Sequence, residues 1–77
     1  MDYAQKIRDL REDTDKTQKE IAQLLGTTQQ YYANYETGKR PLPIERLREL
    51  CLYYHVSADY ILGLPKDLPY GTSKTKR

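Results

Sequence analysis

Three carboxamide side chains, Gln29, Gln30 and Asn34, stand close together in the chain, and Lys39 and Arg40 follow shortly after. A carboxamide presents a donor and an acceptor side by side, the pattern that matches the N6 and N7 edge of adenine. Gln29, Gln30 and Asn34 fall at i, i+1 and i+5, so on a helix they share one broad face. Lys39 and Arg40 are cations placed where phosphates would pass beside that face. The expected chemistry is hydrogen bonding to double-stranded DNA, with Gln29, Gln30 and Asn34 at base edges and Lys39 and Arg40 at phosphates. A solvated polar face is the competing reading, stronger for Asn34 than for the two glutamines. Tyr31, in the middle of this segment, has a hydroxyl able to reach phosphate and a ring able to touch a thymine methyl.

No comparable grouping supports catalysis. The chain holds one Cys and one His, and no Cys–His dyad, paired acids or metal-ligand spacing stands out. Cys51 reads as a small core residue. His55 reads as the end of a helix, where a cation suits the dipole. No enzyme activity, cofactor or metal is expected.

Local signals define the elements that must hold these side chains. Thr17 with Glu20 three residues on is a capping box, opening a helix from Gln18 to about Leu25. Gly26 supplies the left-handed residue that ends it. Thr28 caps the next helix, Gln29 to about Glu36, which places the glutamines in its first turn; Thr28 either caps only or also touches phosphate. Two short helices joined by a tight glycine turn form a helix-turn-helix layout.

Around this pair lie three further helices. Asp2 with Gln5 starts a first helix to about Asp13, with Ile7 and Leu10 on its apolar side. Ile21, Leu24 and Leu25 supply the buried side of the second helix, where Ala22 lets the third cross closely. Pro43 suits the first position of a fourth helix, whose Ile44, Leu47, Leu50, Cys51 and Tyr54 recur at helical spacing and should face the core. Ser57 caps a short fifth helix stopped by Gly63 and Pro65. The expected fold is an all-α bundle of five helices over residues 1–64, followed by a flexible basic tail over 65–77.

Size and composition bound the rest. A chain of 77 residues makes one small domain with a marginal core and little room for a catalytic cleft. All eight aromatics are Tyr, so some rings must serve as core. The single Cys excludes an internal disulfide, and no apolar run reaches membrane-spanning length. Met1 to Lys6 is polar and lacks the apolar core of a signal peptide, so a cytoplasmic protein is expected. Residues 1–65 carry nine Lys or Arg against ten Asp or Glu, and residues 66–77 carry four against one. The folded part is thus not globally basic, which weakens binding of DNA by a single copy. The tail reads as a solvated segment of tag-like composition, or, in an antitoxin-type module, as an arm that wraps a partner.

The ordered set Ile7-Arg8-Asp9-Leu10-Arg11, Thr17 to Glu36, Thr37-Gly38-Lys39-Arg40 and Val56 to Gly63 resembles the phage-repressor and Cro type of helix-turn-helix, the XRE family. Gly26-Thr27-Thr28-Gln29-Gln30 is similar to the opening of the recognition helix in a phage repressor. The resemblance implies a phage-repressor-like five-helix fold whose third helix enters the major groove. It implies that Gln18 holds a phosphate at the start of the second helix, with a purely structural role as the alternative. It also implies an ion pair between Arg11 and Glu36 that fixes helix orientation. Tyr32 departs from the pattern, standing where a small aliphatic is usual, as does Thr27 where an aliphatic is more common.

The function this implies is sequence-specific DNA binding by a transcriptional regulator, expected to be a repressor acting as a homodimer on a near-palindromic operator. Larger members of the family carry a further domain that pairs two copies; here the fifth-helix region or the tail is expected to do so. Tyr60, Ile61 and Leu64 are the candidates for that contact, with Ile61 equally suited to the domain's own core. The alternatives are an antitoxin-type module that binds a protein partner and autoregulates its operon, and a restriction–modification controller protein.

Overall fold

The computed structural model describes residues 3–65, and within them every regular element is helical. The order is α1 (Tyr3–Asp13), α2 (Gln18–Leu25), α3 (Gln29–Thr37), α4 (Ile44–Tyr54) and α5 (Ala58–Leu62). The Asp2 cap and the basic tail expected from sequence lie outside the described residues.

Local chemistry sets the helix ends. The Thr17 hydroxyl accepts the Glu20 amide at 3.1 Å, and Glu20 Oε1 accepts the Thr17 amide at 2.8 Å, so the capping box closes on both sides. That backbone hydrogen bond holds the exposed Glu20 carboxyl below its ordinary value. Gly26 ends α2 at φ 73°, a left-handed conformation that disfavours residues with a Cβ. Its N–H reaches the Ala22 and Gln23 carbonyls, which α2 itself leaves without partners. The Thr28 hydroxyl then accepts the Tyr31 amide at 3.1 Å and starts α3 only two residues later. Ser57 caps α5 in the same way through the Tyr60 amide at 3.2 Å.

One end differs from expectation, at Pro43, whereas His55 closes α4 where the sequence puts it. Pro43 is the N-cap of α4, in extended conformation at ψ 150°, and not its first helical residue. His55 ends α4 in the left-handed region at φ 59° without the freedom of glycine. The left-handed conformation costs about 1–2 kcal/mol, and a hydrogen bond from the His55 amide to the Cys51 carbonyl closes the helix there.

The core is small, and all five helices reach it. Ile7 from α1, Ile21, Ala22 and Leu25 from α2, Tyr32 and Tyr35 from α3, Leu50 from α4 and Ile61 from α5 form one buried cluster. Tyr3, Leu10, Leu42, Leu47, Cys51, Tyr54 and Val56 pack around it half-buried. Burial pushes the Cys51 thiol up, which keeps it neutral and inert. Two expected core residues lie outside. Leu24 is 45% exposed and Ile44 is 76% exposed. Leu24 opens instead onto a shallow groove shared with Glu49, Leu52 and Tyr53 of α4, and Ile44 stands at the very first residue of α4.

Polar ties at the rim complete the packing. The Tyr3 hydroxyl accepts the Leu42 amide at 3.1 Å, joining the start of α1 to the segment before α4. The Arg46 guanidinium donates to the Leu25 carbonyl, pinning α4 to the end of α2. Among the described residues no helix is long and apolar enough to cross a membrane.

Candidate nucleic-acid interface

Helix α3 is divided sharply by burial. Tyr32, Tyr35 and Glu36 face inward, a stripe at i, i+3 and i+4, while Gln29, Gln30 and Tyr31 are exposed and Asn34 is half-buried. The carboxamides therefore share the outer side, as their spacing implies. Gln30 Nε2 donates to Asn34 Oδ1 at 3.4 Å, one turn along. This contact orders the two amides against each other and leaves further donors on both.

The inner stripe holds the helix in place. Tyr32 and Tyr35 meet edge to face, with centroids 6.2 Å apart and planes at 87°. Tyr32, large for the position it occupies, is fully buried. Its hydroxyl and that of Tyr54 have no hydrogen-bond partner among the described residues. Desolvation pushes both phenols up, Tyr54 to about 12 and Tyr32 further.

Glu36 anchors the cluster that links three helices. Arg11 Nε donates to Glu36 Oε2 at 2.6 Å and Arg11 Nη2 donates to Oε1 at 3.1 Å. Arg11 Nη1 reaches the Lys16 carbonyl at 2.9 Å, tying in the α1–α2 loop. Gln18 Nε2 donates to Glu36 Oε1 at 3.0 Å. Burial alone would raise the Glu36 carboxyl, but the hydrogen bonds from Arg11 and Gln18, with the Tyr32 hydroxyl at longer range, outweigh it and hold the group below its ordinary value. The hydrogen bond to Glu36 raises Arg11 in turn. The Arg11–Glu36 pair thus stands where the sequence resemblance puts it. Gln18 sits at the start of α2, but its amide has an internal partner that the sequence did not reveal.

The cations lie beyond the C-terminal end of α3. Gly38 ends that helix in the left-handed region at φ 79°, and Lys39 and Arg40 follow on the surface. The Arg40 amide bonds the Asn34 carbonyl at 3.2 Å, turning the chain back beside α3. The Arg40 guanidinium lies over the Tyr31 ring, 5.4 Å from its centroid. No spacing rule for a regular helix links residues nine apart, so nothing in the sequence signalled this contact.

At the far end, Tyr60 and Leu64 are exposed and line an open pocket of about 340 Å³ with Lys6, Ser57, Asp59 and Gly63. The Lys6 ammonium sits 4.8 Å over the Tyr60 ring. Ile61 is fully buried, so of the two roles open to it the core is the one it takes.

Residues 7–61 match the family model HTH_3, described as helix-turn-helix. Two proteins of Bacillus subtilis (strain 168) are similar to the chain. The HTH-type transcriptional regulator YobD, whose name calls it uncharacterized, is 37% identical over 65 residues, 84% of this chain and 58% of that protein. The HTH-type transcriptional regulator ImmR is 33% identical over 63 residues, 82% of this chain and 50% of that protein. The chain therefore spans about half the length of these relatives. A crystal structure of a transcriptional regulator from Listeria innocua superposes with a TM-score of 0.78 at 27% identity, covering 92% of this chain and 66% of that one. With the capped α2–turn–α3 pair in place and the family model spanning all but the outer turns of the bundle, the chain belongs to the HTH_3 helix-turn-helix family.

Proposed function

We propose that this protein binds double-stranded DNA in a sequence-specific manner and represses transcription from a near-palindromic operator, two copies to a site. The observation that carries this reading is the division of α3: an inner stripe locked to α1 and α2 through Tyr32, Tyr35 and Glu36, and an outer side bearing Gln29, Gln30 and Asn34. In this reading the three carboxamides meet base edges in the major groove. Thr28, Lys39 and Arg40 meet phosphates, and Gln18 lends its remaining amide hydrogen to the same strand. Two-fold pairing is supported by the short reach of one recognition helix and by the near-neutral charge of residues 1–65. Tyr60, exposed on α5, and Leu64, exposed just past its end, supply the contact between copies.

A second reading, an antitoxin-type module with a protein partner, is favoured by one observation. Leu24, Leu52 and Tyr53 are exposed together and line a groove between α2 and α4 with Glu49, and DNA binding through α3 does not use it.

Selection of bound duplexes from a random pool tests the first reading. The expected result is an enriched site with two related half-sites about one helical turn apart. A pool that stays random over repeated rounds would overturn it and leave the protein-partner reading.

A further inference from the structure

Arg40 has no carboxylate within ion-pair distance among the described residues. What holds it is aromatic. The Arg40 amide on the Asn34 carbonyl brings the residue back beside α3, and its guanidinium rests over the exposed Tyr31 ring at 5.4 Å. That ring is itself braced: Tyr31 meets Tyr35 edge-on, with centroids 5.8 Å apart and planes at 65°, and Tyr35 is 1% exposed. A continuous stack thus runs from the core to the cation.

We propose that Tyr31 is a positioning residue for Arg40, its ring fixing the guanidinium beside the recognition helix so that the free N–H donors meet a DNA phosphate. This rests on the DNA-binding reading. An arginine on a flexible stem must give up rotamer freedom to grip a phosphate, and a ring that already restricts it lowers that loss. The guanidinium is planar, so stacking covers one face and leaves the edge donors open to an anion. In this role the Tyr31 hydroxyl contacts nothing essential, whereas direct contact with phosphate would require it.

Two measurements on the full chain test the proposal. Proton chemical shifts of the Arg40 side chain in the free protein read the stack without DNA. The Arg40 methylene protons should be shifted upfield by the ring in the wild type and in Tyr31→Phe, and should return to ordinary values in Tyr31→Leu. Ordinary values in the wild type would overturn the proposal, even if no duplex were found to bind. Titration against a selected duplex reads the consequence. Tyr31→Leu should weaken binding about two- to five-fold, the range for an exposed cation–π contact. Tyr31→Phe should restore the loss, and Tyr31→Leu should add nothing in an Arg40→Ala background. A Tyr31→Phe loss as large as that of Tyr31→Leu, or losses that add in the double variant, would mean that Tyr31 touches DNA independently and would overturn the positioning role.

Discussion

Arg11 and Glu36, 25 residues apart, are joined by a forked ion pair in which both carboxylate oxygens accept a guanidinium donor. The Glu36 side chain is 2% exposed and the Arg11 side chain 13%. A pair this buried adds little net stability over apolar residues of the same shape, but removing one partner strands the other. Its evident work is geometric: it sets the end of α3 against α1, and through Gln18 against α2.

Glu36→Ala should therefore cost ~3 kcal/mol, the low end for breaking a buried pair because Arg11 keeps its bond to the Lys16 carbonyl. Replacing both partners by Met and Leu should cost clearly less. Urea unfolding followed by circular dichroism checks this, and equal losses in the two variants would contradict it. Because the folded Glu36 carboxyl is held below its unfolded value, its contribution is present above about pH 4.3 and fades as pH falls through the folded value. Glu36→Gln should show a shallower acid decline than the wild type.

Tyr54 carries a buried hydroxyl with no partner among the described residues. Tyr54→Phe removes an unsatisfied polar group, so stability at neutral pH should be unchanged or up to ~1 kcal/mol higher. The phenol is raised to about 12 in the folded protein. An unfolded chain ionises near pH 10, so the wild type should lose stability as pH rises from about 10 to 12, and Tyr54→Phe should lose less. Thermal melts across that range decide it.

Helix ends were legible in the sequence because caps are short-range chemistry: Thr17, Thr28 and Ser57 accept the amides their positions imply. Burial was less legible, because helical periodicity fixes a side chain's angle and not how far a neighbouring helix extends. Ile44 shows this, sitting in phase with Leu47 and Leu50 yet exposed at the first residue of α4. The outer carboxamides of α3 follow from their spacing. The Gln18–Glu36 and Arg40–Tyr31 contacts do not, since each joins segments whose approach depends on the packed fold.

Lys39 is exposed and has no ion-pair partner among the described residues. As a phosphate contact it should act alike on every sequence. Lys39→Ala should weaken selected and scrambled duplexes equally and make the salt slope shallower by about one unit. An unchanged slope in a titration across salt concentrations would remove it from the interface.

Pairing through Tyr60 and Leu64 offers a small apolar area, so the dimer should be weak in free solution and be stabilised by DNA. Sedimentation with and without a selected duplex should give mostly single chains alone and two chains on DNA. Leu64→Ser should lower the cooperativity of binding. One chain per duplex at saturating protein would contradict the dimer.

The central claim is that the outer side of α3 reads base sequence, and titration of Gln29→Ala and Gln30→Ala against selected and scrambled duplexes tests it most directly. Each variant should lose ~1–3 kcal/mol on the selected duplex and almost nothing on the scrambled one, with preference relaxed at one position of the site. Equal losses on both duplexes, or none on either, would contradict it.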